Sequence, residues 1–187
     1  MKPWQSLKIA FSMYSKIPTP RADWTAENLG YAFCFFPLVG VPIGGLLLLW
    51  NALADWLAIH SVLFAAVACV LPLLVTGGIH LDGFCDTVDA LSSRQPRERK
   101  LEILKDPHTG AFAVIGCVVY FLLTFGFWSQ LPRTWTSMGV LSLSFVLSRG
   151  ISAMSVVTLR PAKNSGLLNT FTQAAQKRAV RGAGAAW

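Results

Sequence analysis

Long apolar runs alternate along this chain with short segments that hold nearly all of its basic residues. The runs 31–53, 58–79 and 110–131 contain no Asp, Glu, Lys or Arg, and the run 134–157 contains only Arg149. Roughly 20 apolar residues cross the hydrocarbon core of a bilayer as a helix. The pattern therefore predicts four transmembrane helices over these runs. Ahead of them, Trp4, Leu7, Phe11 and Tyr14 recur at helical spacing, with Lys2, Lys8 and Lys16 interspersed. That spacing predicts a short amphipathic helix within 4–17, lying at a membrane surface and ended by Pro18 and Pro20. The fold class is thus an all-α, polytopic membrane bundle, treated as a single membrane domain over 1–187. A cytoplasmic loop at 80–109 and a basic cytoplasmic tail at 158–187 complete it.

Composition agrees with the pattern. Hydrophobic residues make up 53% of the 187 and charged residues 13%, against about 25% charged in an ordinary soluble domain. The mean hydropathy is +0.51. The first apolar run starts too late, and is too long, for a cleaved signal peptide. The net charge of +7 reports topology rather than nucleic-acid binding. Lys2, Lys8, Lys16 and Arg21 precede the first run. No basic residue lies in the 54–57 turn. Arg94, Arg97, Arg99, Lys100 and Lys105 follow the second run, Arg133 alone precedes the fourth, and Arg160, Lys163, Lys177, Arg178 and Arg181 follow it. By the positive-inside rule, both termini and the 80–109 loop face the cytoplasm. Cys34, Cys69, Cys85 and Cys117 form no CxxC pair, so neither a disulfide framework nor a zinc site is expected.

The acids are few, and three of the nine lie within eight residues: Asp82, Asp86 and Asp89. Their i, i+4, i+7 spacing puts all three on one face of a helix. Stacked carboxylates beside a bilayer repel one another and cost desolvation energy, which a hard divalent cation with oxygen ligands would offset. Mg²⁺ held by Asp82, Asp86 and Asp89 is the expected centre. The same run can also be read as a solvated helix end. The basic segment that follows, a short helix within 96–105, supplies Arg97, Arg99 and Lys105 as candidate contacts for a phosphate-bearing substrate. Arg149, alone inside a span, is a further candidate because a mid-span cation is costly. His80 is a candidate substrate contact, and Asp106 a candidate catalytic acid in the Asp106-Pro107-His108-Thr109-Gly110 turn. Gly77, Gly78 and Gly83 allow close approach of backbone or ligand.

The run Gly77-Gly78-Ile79-His80-Leu81-Asp82-Gly83-Phe84-Cys85-Asp86-Thr87-Val88-Asp89 resembles the signature of the cobalamin synthase family, the adenosylcobinamide-GDP ribazoletransferases. The resemblance extends through 97–106 to Gly110, and to Ile17-Pro18-Thr19-Pro20, Phe36-Pro37-Leu38-Val39-Gly40 and Ser148-Arg149-Gly150. By comparison with that family the chain is C-terminally short. The resemblance implies a multi-pass enzyme of a prokaryotic inner membrane. It would join adenosylcobinamide-GDP to α-ribazole or its 5′-phosphate, with Mg²⁺, releasing GMP. It implies roles in catalysis for Asp82, Asp86 and Asp89, with Asp89 or Asp106 taking the proton of the attacking hydroxyl. The expected partners are those two substrates and the lipid bilayer, and no nucleic acid. A homo-oligomer is left open. The alternatives are another Mg²⁺-dependent membrane phosphotransferase of the CDP-alcohol type, and an inactive truncated form.

Overall fold

The computed structural model describes residues 2–159, 175 and 177–186. Most of the predicted tail, including Arg160 and Lys163, lies outside these residues. Every regular element among the described residues is helical. The chain divides into two compact units, 1–53 with 133–187, and 54–132.

The first unit begins with α1 (Pro3–Tyr14), α2 (Ala26–Gly30) and α3 (Ala32–Phe35). A 3₁₀ turn, Phe36–Val39, then leads into α4 (Gly40–Trp56). Pro3 starts α1, where its missing N–H costs nothing. The stripe of α1 that packs inward is Ser6, Ile9 and Ala10, while Trp4 is exposed. Of the four residues of the expected face, Phe11 and Tyr14 also pack against the core, the Tyr14 and Phe36 ring centroids 4.3 Å apart. Two polar bonds fix the inward stripe. Buried Ser6 Oγ donates to the Asn28 carbonyl at 2.9 Å, and the Asp23 N–H donates to Gln5 Oε1 at 3.1 Å. Thr25 caps α2 by accepting the Asn28 N–H.

Two long-range elements close this unit, α9 (Trp135–Thr158) and α10 (Lys177–Ala186). Ile9, Phe33, Phe36, Val39, Ala153, Val157 and Val180 form its buried core. Gly40 and Gly44, one turn apart, let the α4 backbone approach α9 closely. A Cβ on Gly40 would meet the Phe145 backbone at 2.6 Å, and one on Gly44 the Ser142 carbonyl oxygen at 2.9 Å. Ser142 Oγ donates to the Gly44 carbonyl at 3.0 Å. Small residues four apart and an interhelical hydroxyl bond are how helices adhere in lipid, where apolar burial drives little.

The second unit comprises α5 (Ser61–Thr76), α6 (Ile79–Ser92), α7 (Arg97–Ile103) and α8 (Ala111–Gln130). Packing of α8 on α5 seats Phe64 against Trp128, centroids 6.4 Å apart, and Phe84 of α6 lies 5.8 Å from Tyr120 of α8. Little else of α8 is covered. Phe112, Val114, Ile115, Val118, Leu122, Leu123 and Phe127 are all exposed. An apolar surface of that extent, on a helix long enough to cross a bilayer, belongs in a membrane rather than in water.

Among the described residues, three helical stretches are long and apolar enough to cross a membrane: 32–56, 111–130 and 135–158. They correspond to the runs 31–53, 110–131 and 134–157. The run 58–79 behaves differently. Its helix stops at Thr76, and α5 and α6 meet at a 98° bend. The run holds a 16-residue helix that ends at this bend, and the bent pair counted as one makes a fourth candidate span. The reason is local. Gly77 and Gly78 both adopt left-handed backbone, φ 69° and 83°, which ends an α-helix whatever the hydropathy of the residues around them.

The α4–α9 crossing yields a direct expectation. Gly40→Val should destabilise the detergent-solubilised chain by about 1–3 kcal/mol, seen as a lower midpoint of thermal unfolding. An unchanged midpoint would mean the two helices do not approach this closely.

Candidate active site

The glycine turn also builds the start of α6. The Gly77 N–H donates to the Leu73 carbonyl at 2.7 Å, closing α5. Thr76 Oγ1 donates to the Pro72 carbonyl and accepts the Gly78 N–H, so the turn is tied from both sides. The Asp82 N–H donates to the Gly78 carbonyl at 2.8 Å, so α6 begins directly after the bend. Asp82 falls in its first turn, where a carboxylate complements the helix dipole.

An open cavity of about 410 Å³ lies at this bend, lined by Gly77, Gly78, Ile79, Leu81, Asp82, Cys85 and Thr109. Asp82 is exposed to it, and Asp86 stands one turn further along the same α6 face, half-buried. The Asp86 carboxyl is pushed above the ordinary range by partial burial and by the charges of Asp82 and Asp89. Partial burial, Cys117 and the two acids push the Cys85 thiol up as well.

Asp89 is engaged differently from the other two. Its Oδ2 accepts the Gly110 N–H at 2.6 Å and its Oδ1 the Ala113 N–H at 2.8 Å. Among the described residues, no three His, Cys, Asp or Glu side chains converge as a metal-ligand set. What α6 offers is a pair, Asp82 and Asp86. That pair suits Mg²⁺, which is commonly held by one or two carboxylates together with substrate phosphates and water.

The other expected residues are placed as follows. His80 is exposed on the first turn of α6. The short helix expected within 96–105 is α7, which packs against α6. It carries Arg97 and Arg99, both exposed, with Lys105 just beyond it. Arg99 Nη1 donates to Glu102 Oε2 of its own helix at 2.6 Å, on the surface. Asp106 closes a turn, its Oδ1 accepting the His108 N–H at 2.9 Å and lying 2.7 Å from His108 Nδ1. These bonds hold the Asp106 carboxyl below the usual carboxylate range. Arg149 is buried on α9, in the first unit. Its Nη1 donates to the Phe145 carbonyl and to Ser148 Oγ, and its Nε has no hydrogen-bond partner. A buried guanidinium with an unpaired N–H is a group suited to an anionic oxygen. Spacing does not single out Thr109 or Cys85. Cys85 reaches the cavity as a neighbour of Asp82 on α6, and Thr109 because α8 folds back along α6, which no local pattern announces.

These features define a class, an α-helical membrane protein with two acids on one helix face, the first of them lining a cavity, and a short basic helix packed against that helix. The chain belongs to the cobalamin-5-phosphate synthase (CobS) family, whose model matches residues 6–187. It is 51% identical over 180 residues to a protein of Lachnoclostridium phytofermentans named adenosylcobinamide-GDP ribazoletransferase, covering 96% of this chain and 68% of that relative. Proteins of the same name from Clostridium botulinum (Eklund 17B) and Clostridium perfringens (strain 13) are 34% and 33% identical. Those matches cover 91% and 93% of this chain, and 68% and 69% of the relatives. No solved structure matches. Family membership sets aside the CDP-alcohol alternative.

The bend makes its own prediction. A Cβ on Gly78 would point into open space, but the residue holds φ 83°, so Gly78→Ala should cost about 1–2 kcal/mol through backbone strain alone. Gly83, inside α6 with equally open space, should gain about 0.5–1 kcal/mol on replacement by Ala. Thermal unfolding of the two variants checks the opposite signs.

Proposed function

We propose that this chain transfers the adenosylcobinamide phosphate group of adenosylcobinamide-GDP to α-ribazole or its 5′-phosphate. The products are adenosylcobalamin or its 5′-phosphate, and GMP. The observation that carries this reading is the match to the family over 6–187, in a chain whose Asp82 lines an open cavity, with Asp86 one turn further along the same α6 face. The membrane is a prokaryotic inner membrane, and the distribution of basic residues puts the 80–109 segment on its cytoplasmic side.

Asp82 and Asp86 would hold Mg²⁺. When bound, the ion neutralises pyrophosphate charge and makes the bridging oxygen a better leaving group. Arg97, Arg99 and Lys105 offer cations to the phosphate oxygens and to the GMP that departs. The left-handed turn at Gly77 and Gly78, free of side chains, leaves room for substrate to approach the backbone. In the transfer, the ribose 3′-hydroxyl oxygen of α-ribazole forms a bond to the cobinamide-side phosphorus. The bond from that phosphorus to the GMP oxygen breaks. The hydroxyl proton goes to a carboxylate. Asp89 has both oxygens occupied by backbone N–H groups, whereas both Asp106 bonds to His108 fall on Oδ1. Asp106 is therefore the acid proposed for that proton.

The test is turnover of the purified chain in liposomes, with product GMP measured. Asp82→Asn and Asp86→Asn should each lower kcat/KM by at least about 100-fold, with membrane insertion and folding unchanged. Near-normal turnover in either variant, or turnover that survives EDTA, would overturn the assignment.

A further inference from the structure

The N-terminus of α8 lacks a cap of its own. Gly110 stands at the N-cap position and has no side chain to accept the N–H three residues on. Asp89, 21 residues earlier on α6, takes over both functions. One oxygen accepts the N–H of Gly110 itself and the other that of Ala113. The carboxylate also lies at the positive end of the α8 dipole. Gly110 is required for this fit, because a Cβ there would lie 2.5–2.7 Å from the Asp89 carboxylate atoms. Further along the same contact, Gly116 of α8 sits under Val88, where a Cβ would meet Val88 Cγ1 at 2.9 Å. The two helices are thus keyed together at two levels. The residue before Gly110 is Thr109, which lines the cavity with Asp82 and Cys85.

We propose that Asp89 is a positioning residue, locking the start of α8 to α6 and so keeping Thr109 on the cavity beside Asp82, and that it is not a member of the metal-binding pair. The i, i+4, i+7 spacing makes the three acids look equivalent, but their hydrogen bonds divide them by task. Asp82 lines the cavity with Asp86 one turn on, whereas both Asp89 oxygens accept backbone N–H groups. Gly110 is the other half of the lock, and the two should respond to substitution as one unit.

The inference rests on the proposed reaction for its kinetic readout, and a second readout is independent of it. Hydrogen exchange of the full chain in detergent, without substrate, should show the Gly110 and Ala113 amides exchanging about fivefold faster or more in Asp89→Asn. Kinetically, Asp89→Asn and Gly110→Ala should both lower kcat/KM by about 10- to 100-fold per folded molecule. The Mg²⁺ concentration for half-maximal rate should stay within about twofold of the unsubstituted chain. Gly110→Ala placed on Asp89→Ala should add little further loss, since the clash is then gone. A sharply raised Mg²⁺ requirement in Asp89→Asn, with Gly110→Ala unaffected, would overturn the proposal, as would unchanged exchange at both amides. If the unsubstituted chain shows no turnover, the reaction assignment falls, and the exchange result alone decides the lock.

Discussion

Two consecutive left-handed glycines stop α5 at Thr76 and release α6 in a new direction, 98° away. The acidic site depends on that turn. A straight continuation would carry Asp82, Asp86 and Asp89 along the axis of an apolar helix, where bare carboxylates are costly. The turn instead puts them on a separate helix whose first residues border an open cavity. Thr76, with its hydroxyl bonded to Pro72 and Gly78, makes the bend a fixed element of the second unit.

Once α6 is directed this way, charge and packing divide its acidic face. The segment 93–110 leaves α6, forms the basic α7, and returns to start α8 opposite Asp89. The return connects the lipid-facing α8 to the chemistry. The apolar exterior of α8 holds the helix in the bilayer, while its N-terminus is held by a carboxylate of the acidic helix. Thr109, between α7 and α8, thereby reaches the cavity without belonging to either helix. The result brings Asp82 and Thr109 to one cavity, in a unit that also carries the basic α7.

Much of this was legible in the sequence. Apolar runs of bilayer length, the last holding Arg149 alone, located α4, α8 and α9, because a hydrocarbon solvent forces backbone bonds inside each segment and leaves hydropathy as the main signal. The i, i+4, i+7 spacing put three acids on one helix face, and the short basic helix is present at 97–103. Hydropathy located α5 within the 58–79 run but not the bend that ends it, since a backbone turn made by glycine costs little apolar character. The inward stripe of α1 was set by the Ser6–Asn28 bond, a contact 22 residues apart that helical periodicity does not encode. The Gly40 and Gly44 spacing is a readable small-residue signal for close helix packing, though not for its partner, α9. Spacing alone made Asp89 equivalent to Asp82 and Asp86. Only the fold-back of α8 shows that its oxygens are already used.

Central to the proposed chemistry is an incomplete cation site, Asp82 with Asp86, that substrate phosphates complete. Titration of the purified chain with Mn²⁺ as a spectroscopic substitute for Mg²⁺, with and without adenosylcobinamide-GDP, tests this most directly. Binding to the chain alone should be weak. With the pyrophosphate substrate present it should be much tighter, and that gain should be lost in Asp82→Asn and Asp86→Asn. Equally tight binding without substrate, or tight binding that survives both substitutions, would contradict an incomplete site of this kind.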